Sequence, residues 1–345
     1  MINDSIPLNV SGGDHFAAVQ AGMGVWANIP GADVSIFYGG STPLADASAI
    51  DGVNLITFTD GDLGDGEESV PFPFDVLALT PTTSFTEPTL FNGRWVRPGQ
   101  IVDADILFNP NVTFGADGGA GVDIESVMAH EAGHFFGLAH SAVETSTMFP
   151  VLRPGTLASS LETEDSLAML KAYPSEATLA TASRIGGTVT SGFTSAPVAG
   201  AAVFAIDTSS VHRDTLGCEF TLDTDGSYEF LGLPAGDYYI AIHPLNGSQA
   251  IHQIKPGVIN ERLGDTADTT FVAEYFNDPD GNAEDPDAKT VVSVTPGLVS
   301  NSINLTTNRV LDALAVDQSY PESDATDVRV DAPILVSFNQ PMDLS

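Results

Sequence analysis

Residues 130–140 read HEAGHFFGLAH, a pattern of three histidines and one glutamate at fixed spacing. Two histidines four positions apart on a helix project from the same face, so His130 and His134 are predicted to converge on one metal ion. Gly137 is expected to end the helix in the left-handed conformation, which lets the chain turn back and deliver His140 as a third ligand. Three imidazoles leave one open position on a tetrahedral zinc, as in a catalytic site.

The glutamate of this pattern is predicted to be the general base. Asp123 is expected to cap the helix, and Ile124 and Phe135 then fall on an apolar stripe within which Glu131 also projects. A carboxylate aimed at a core is costly unless chemistry requires it. Beside a metal, a glutamate can take a proton from water and pass it to a leaving amine. The alternatives are a core helix that carries these residues by chance, or a metal-free inactive descendant. The five intact positions argue against both.

The pattern H-E-x-x-H-x-x-G-x-x-H resembles that of the metzincin zinc metallopeptidases. Ser141 and the run STMFP at 146–150 resemble the matrixin branch (matrix metalloproteinase-like, peptidase family M10 type), whose Met-turn passes beneath the metal. The segment 161–174, LETEDSLAMLKAYP, is similar to the matrixins' C-terminal helix. The resemblance implies an α+β catalytic domain with a twisted mixed sheet and three main helices. In that domain Met148 would support the metal site from below without ligating it.

The resemblance also implies where a substrate lies and how many zinc ions bind. By position, the predicted strand 75–80 resembles the matrixin edge strand, so Leu77, Ala78 and Leu79 are expected to pair with an extended polypeptide. Animal matrixins hold a second, structural zinc through several histidines upstream of the active-site helix. The sequence has no histidine between positions 15 and 130. One catalytic zinc is therefore predicted.

The other elements of this region follow from apolar periodicity. Asp14 is expected to cap a first helix that stops at Pro30-Gly31. Asp103 and Asp105 are interpreted as outward polar positions of an amphipathic strand. The glycine-rich acidic segment 60–68 is interpreted as a solvated loop rather than a calcium site. Strands are predicted at Val34–Tyr38, Asn54–Thr59 and Gln100–Asn109.

A chain of 345 residues is expected to form two or three domains. We predict the metallopeptidase domain at 1–177, a linker at 178–183, an all-β module at 184–309 and the start of a truncated domain at 313–345. Asp-Gly and Pro-x-Gly turns within 184–309 indicate a small antiparallel sandwich. These turns are similar to those of carboxypeptidase regulatory-like (transthyretin-like) modules, and 313–345 resembles the opening of a bacterial immunoglobulin-like domain.

The composition limits the partners. Against 46 acidic residues stand 11 basic ones, and the formal net charge of −35 argues against nucleic acid and anionic membranes as partners. Some carboxylates are candidates for calcium, although an acidic turn is the preferred interpretation. A single cysteine, Cys218, excludes an internal disulfide within the chain. The candidate calcium ligands are Asp278, Asp280, Asn282 and Asp285.

We expect a secreted enzyme whose signal peptide lies upstream of this chain. No stretch approaches the ~20 apolar residues of a membrane span, and the first residues lack the basic and apolar runs of a signal peptide. The predicted function is a secreted zinc metalloendopeptidase that acts on extended protein or peptide substrates. The alternative is a secreted adhesion or binding protein with an inactive metzincin-like scaffold. The oligomeric state is left open.

Overall fold

The structure is a computed structural model of the chain. It describes all residues except 6–8, 46, 48–49, 59–71, 73–75, 153–157, 193, 211–213, 223–224, 246–266, 268, 270, 278–288, 308–315, 321–325, 327–334 and 339–345. Two compact units are present, the first comprising Met1–His140 with Thr145–Ser175 and the second Ser141–Glu144 with Glu176–Ser345. No helix in the described ranges is long and apolar enough to cross a lipid bilayer.

The first unit combines helices with short strands, as the predicted α+β class requires. Its elements are β1 (Ile2–Asn3), β2 (Val10–Gly12), α1 (His15–Gly24), a 3-10 helix (Val25–Asn28), β3 (Ser41–Thr42), β4 (Ile56–Thr57), β5 (Ala78–Leu79), β6 (Thr82–Ser84), β7 (Thr89–Phe91), β8 (Arg94–Val96), β9 (Ile101–Ala104), β10 (Ile106–Phe108), β11 (Phe114–Ala116), β12 (Val122–Asp123), α2 (Ile124–Phe135) and α3 (Thr163–Ala172).

Five of these strands form a mixed sheet in the order β3-β1-β4-β10-β5. The first four are parallel to one another, whereas β5 runs antiparallel to β10 at the edge. Leu79 lies opposite Leu107, and Ala78 lies opposite Phe108. The strand predicted to be the edge strand therefore occupies an edge of the sheet. A smaller parallel sheet has the order β12-β11-β2.

Helix α1 and the 3-10 helix after it hold α2 in place. Asp14 caps α1 as predicted, because its carboxylate accepts the amide hydrogen of Phe16 at 2.9 Å. A Cβ atom at Gly22 would lie 2.6 Å from the carbonyl oxygen of Glu125, so the two helices approach too closely for a larger residue. Trp26 is fully buried, and its indole N–H donates to the carbonyl of Ala129 at 2.9 Å.

The carboxylate of Asp165 ties α3 to the turn at 146–149. Asp165 is 1% exposed and accepts hydrogen bonds from the Ser146 hydroxyl at 2.5 Å and from the amides of Thr147 at 2.9 Å, Met148 at 3.0 Å and Glu162 at 2.8 Å. Four donors compensate the desolvation of this buried charge. The turn is therefore fixed from the N-terminal end of α3.

The prediction that Asp103 and Asp105 face outward is wrong, because they are only 2% and 4% exposed. Asp103 accepts the amide hydrogens of Asp51 and Gly52 at 2.9 and 3.3 Å, and Asp105 accepts that of Leu55 at 2.8 Å. Buried amides need acceptors, and a carboxylate supplies them where no strand pairs. The two residues therefore anchor the chain segment that leads into β4.

Two other predictions of local structure also need correction. No strand forms over Val34–Tyr38, although the alternation is real: Val34 and Ile36 pack on the core, and Phe37 is 88% exposed. The strand that pairs with β1 on this side is β3, a few residues further along the chain. The single strand predicted at Gln100–Asn109 is divided into β9 and β10 at Asp105.

The second unit begins with a short helix and continues as strands. The predicted linker 178–183 is largely helical, because α4 covers Glu176–Thr181. The strands that follow are β13 (Arg184–Ser191), β14 (Ala202–Asp207), β15 (Thr215–Phe220), β16 (Ser227–Leu231), β17 (Gly236–His243), β18 (Glu274–Tyr275), β19 (Val292–Val294), β20 (Val299–Ser300), β21 (Leu305–Thr307), β22 (Val316–Tyr320) and β23 (Leu335–Phe338).

These strands form two main sheets. One has the order β16-β13-β20 with β21 also paired to β13, and the other has the order β15-β14-β17-β18 with β19 also paired to β17. The first sheet is mixed rather than purely antiparallel, since β20 and β21 run parallel to β13. Turn signals along the sequence predict hairpins, and they carry no information on pairing between strands so far apart in the chain.

Several predictions fall outside the described residues. They concern the acidic loop 60–68 and the four candidate calcium ligands Asp278, Asp280, Asn282 and Asp285. Most of the segment 313–345 also lies outside, and its described strands β22 and β23 pair with each other. The calcium sites and the immunoglobulin-like resemblance therefore remain predictions.

We expect Asp165→Asn to lower the free energy of unfolding by roughly 2–4 kcal/mol. The substitution removes a negative charge and places the NH2 group of asparagine, a donor, opposite buried backbone N–H groups, which are also donors. Urea denaturation followed by circular dichroism measures this change. The matched control is Asp33→Asn at an exposed position, with an expected change within about 0.5 kcal/mol. Equal effects of the two substitutions would contradict the anchoring role.

We expect His243 to make the protein less stable in mild acid. Burial lowers the pKa of His243 to about 4, so below pH 6.5 the unfolded chain binds a proton that the folded chain does not. The contribution of His243 to the free energy of unfolding is therefore complete above pH 6.5 and is lost as the pH drops towards 4. Between pH 7.5 and 4.5 the wild type should lose about 2–3 kcal/mol more than His243→Gln, measured by urea denaturation. Parallel losses would refute this assignment.

Candidate metal centre and active site

Helix α2 carries two of the predicted ligands, His130 and His134. The helix ends at Phe135, and the chain then reverses direction before His140, the third predicted ligand. The Asp123 carboxylate caps the helix by accepting the Ser126 amide hydrogen at 2.8 Å. At the other end, Gly137 has a φ of 85°, and the Leu138 amide donates back to the carbonyl of Gly133 at 3.0 Å. A Cβ at position 137 would lie 3.0 Å from Ile101 Cδ1. The predicted left-handed helix end is confirmed.

The three histidines converge on one point. One nitrogen from each of His130, His134 and His140 lies within 4.8 Å of the other two. The Nε2 atoms of His134 and His140 are 3.2 Å apart. Nitrogens so placed can bind a single ion, as predicted from the spacing.

Hydrogen bonds from the far side of two rings select the tautomer that a metal requires. Nδ1 of His130 lies 2.7 Å from the carbonyl oxygen of Thr147, and Nδ1 of His134 lies 2.8 Å from that of Leu138. Because a carbonyl can only accept, Nδ1 of each ring carries the proton and Nε2 is left with its lone pair. The donor set therefore fits zinc, which three neutral imidazoles bind at a catalytic site.

Burial keeps His130 neutral. Desolvation and the nearby His134 and His140 together lower the pKa of His130 to about 3, against the opposing effect of the hydrogen bond to Thr147. An imidazole that stays unprotonated over the physiological pH range remains available as a ligand.

Glu131 is a buried carboxylate that has one side-chain hydrogen-bond partner, Thr80, among the described residues. It is 5% exposed, and its Oε2 accepts the hydroxyl hydrogen of Thr80 at 2.5 Å. Burial raises the pKa of Glu131 to about 7, and the Thr80 hydrogen bond opposes the shift. A carboxylate with this pKa can both accept and release a proton near neutral pH. Sequence analysis missed Thr80, whose only signal was its position at the end of the predicted edge strand.

Met148 lies under the helix that bears the metal ligands. It is 2% exposed, and a Cβ at Gly133 would lie 2.1 Å from its sulfur. The amide of Met148 donates to Asp165 and to the Ser146 hydroxyl, both at 3.0 Å. Met148 therefore packs against Gly133 of α2, and its support of the metal site stays a prediction. Asp165 is a supporting residue to which the sequence analysis gave no role.

The predicted substrate strand lies beside the glutamate. Leu77 precedes β5, and its carbonyl accepts the Asn109 amide at 2.9 Å, while Ala78 and Leu79 form β5 itself. Thr80 follows directly and reaches Glu131. The structure thus places Leu77–Leu79 at a sheet edge next to the glutamate of the histidine cluster.

Comparisons with known proteins agree with this geometry. Residues 52–174 match the family model of the matrixins (Peptidase_M10). Over 121 residues the chain is 37% identical to metalloendoproteinase 1-MMP of Arabidopsis thaliana, covering 34% of this chain and 29% of that protein. Over 110 residues it is 36% identical to metalloendoproteinase 2-MMP of the same plant, covering 32% and 26%. The match thus spans less than a third of either relative.

Among solved structures, 5-hydroxyisourate hydrolase of Klebsiella pneumoniae aligns with 37% of this chain and 93% of its own at 16% identity. The TM-score of 0.19 is too low to assign a fold. The family match, by contrast, includes all three histidines, the glutamate and the Met148 turn. Residues 52–174 are therefore a matrixin domain within this chain of 345 residues.

Proposed function

We propose that the chain is a zinc-dependent metalloendopeptidase that hydrolyses peptide bonds in extended protein or peptide substrates. The observation that carries this proposal is the convergence of three imidazole nitrogens within 4.8 Å beside the buried carboxylate of Glu131. The matrixin match over residues 52–174 and the similarity to plant metalloendoproteinases support it.

His130, His134 and His140 would hold the zinc ion through their Nε2 atoms. When bound, zinc polarises the scissile carbonyl and acidifies the water that attacks it. The hydrogen bonds from Nδ1 to the carbonyls of Thr147 and Leu138 hold two of the rings in the required tautomer and orientation. Met148 supports the ring-bearing helix from below.

Glu131 would act as the general base and then as the general acid. Its carboxylate takes a proton from the attacking water and delivers it to the nitrogen of the departing amine. The raised pKa of Glu131 suits both transfers, because the acid and the carboxylate forms are then close in free energy. Thr80 holds one carboxylate oxygen and leaves the other to face the reacting water.

Strand β5 would bind the substrate backbone. Leu77, Ala78 and Leu79 lie at a sheet edge, where backbone groups are open to a further strand. Thr80 directly follows β5 and hydrogen-bonds Glu131, so an extended polypeptide paired with β5 would pass next to Glu131. We further propose an extracellular location, by analogy with the matrixins, and an accessory role for the β-rich unit.

Zinc content and casein cleavage distinguish this enzyme from a binding protein with an inactive scaffold. The wild type should hold one zinc per chain and cleave casein, and Glu131→Gln should keep the zinc and cleave roughly 10²–10⁴-fold more slowly. Zinc content is measured by atomic emission and cleavage by fluorescence of labelled casein. A zinc-loaded wild type that leaves casein intact would favour the scaffold alternative.

The hydroxyl of Thr80 is predicted to orient Glu131 for catalysis. Thr80→Val keeps the side-chain shape but removes the hydroxyl, so Glu131 loses the bond that orients it. We expect kcat to fall about tenfold with little change in KM, since the bond serves the reacting carboxylate and not substrate affinity. Thr80→Ser retains the hydroxyl and should stay within about threefold of wild type. A Thr80→Ser variant as slow as Thr80→Val would contradict this role.

A further inference from the structure

The chain between β5 and β10 leaves the main sheet as a two-stranded arm, defined here as residues 82–104. Strands β6 and β9 pair antiparallel at its base, and β7 and β8 form a hairpin at its tip. The hairpin turns at Asn92 and Gly93, with φ values of 46° and 76°. Two successive residues with positive φ give the turn that suits the twist of a tight hairpin. The arm therefore extends the edge strand β5 away from the sheet.

The tip of the arm exposes two large apolar side chains. Leu90 is 59% exposed and Trp95 is 73% exposed. They lie directly opposite each other across the hairpin, so they share one face. The other tryptophan of the chain, Trp26, is fully buried. An exposed tryptophan and leucine on one face form an apolar patch suited to a partner.

A surface groove of 480 Å³ lies on the arm beside this patch. Phe91, Trp95, Gln100 and Ile101 are among the residues that line it. Ile101 also lies 3.0 Å from the position of a Cβ at Gly137, between the second and third histidines. The groove thus joins the exposed Trp95 at the tip to Ile101, the residue of the arm that contacts the Gly137 turn.

The outer part of the arm, residues 85–100, carries a charge opposite to that of the chain. Segment 85–100 contains two arginines and one glutamate, whereas the chain as a whole has a net charge of −35. Arg94 and Arg97 are exposed and form no ion pair with another described residue. A partner with carboxylates is repelled by most of this protein and attracted here.

We propose that the arm binds the amino-terminal flank of the polypeptide that β5 takes as substrate, with an apolar side chain against Trp95 and an acidic one at Arg94. This inference rests on the proposed peptidase function. Antiparallel pairing is the more stable arrangement per residue. A substrate strand antiparallel to β5 runs its amino-terminal part past the end of β5, where the arm begins.

The test uses the zinc-loaded full chain with Glu131→Gln, which binds peptide without cutting it. The core peptide is one fixed segment of the casein sequence that lacks tryptophan. It is compared with versions extended at the amino end by a flank with Phe and Glu, by a flank with Ser and Lys, or at the carboxyl end by the Phe and Glu flank. Binding is followed through the change in tryptophan emission, which is assigned to Trp95 because the buried Trp26 cannot contact the peptide. The Trp95→Ser variant gives the emission of Trp26 alone.

We expect the amino-terminal Phe and Glu flank to bind about tenfold more tightly than the core and to shift the emission to the blue. Trp95→Ser should abolish both effects. Arg94→Glu should reverse the preference between the Glu and Lys flanks. Both sites are exposed, and unchanged circular dichroism and zinc content verify folding. Equal affinities for all four peptides, or an equal gain from the carboxyl-terminal flank, would overturn the proposal.

Failure of the arm and failure of the enzyme are distinguishable. If the wild type cleaves casein, Glu131→Gln does not, and the flanks have no effect on affinity, then only the arm is refuted. If casein stays intact but the amino-terminal flank still tightens binding through Trp95, then hydrolysis is refuted and peptide binding by the arm stands.

Discussion

The left-handed turn at Gly137 is the constraint on which the metal centre depends. A straight helix can aim His130 and His134 at one point, but any third ligand from the same helix would lie further along its axis. The reversal after Phe136 brings His140 back to within bonding reach of the same ion. The φ of 85° at position 137 and the neighbouring Ile101 both disfavour a larger residue there. The turn is therefore packed directly against the arm.

Two buried carboxylates near the centre show how environment divides structural from chemical roles. Asp165 accepts four hydrogen bonds, which stabilise its charge and make it a permanent anchor for the Met148 turn. Within the described part of the chain, Glu131 accepts one side-chain hydrogen bond, from Thr80, and burial dominates the pKa of Glu131. The carboxylate with four donors anchors a turn, whereas the one with the raised pKa can exchange its proton near neutral pH.

The spacing of residues within one short stretch predicted the metal centre. Contacts between distant parts of the chain account for the features that the sequence did not predict. The helix bounds and the convergence of the three histidines follow from periodicity and from Gly137, all within one short stretch. The hydrogen bond from Thr80 to Glu131 joins positions 51 residues apart, which no local pattern encodes. The burial of Asp103 was missed for a related reason: alternation separates the two faces of a strand, but it does not say whether a loop covers the polar face.

The edge strand β5 is two residues long, and Pro81 follows soon after it. Proline has no amide hydrogen, and the carbonyl of Pro81 is already engaged by the Asp105 amide at 3.2 Å. Long, flat edges with unpaired donors and acceptors allow copies of a protein to stack into intermolecular sheets. An edge of two residues is long enough to pair with one short extended peptide but gives little length for the stacking of copies.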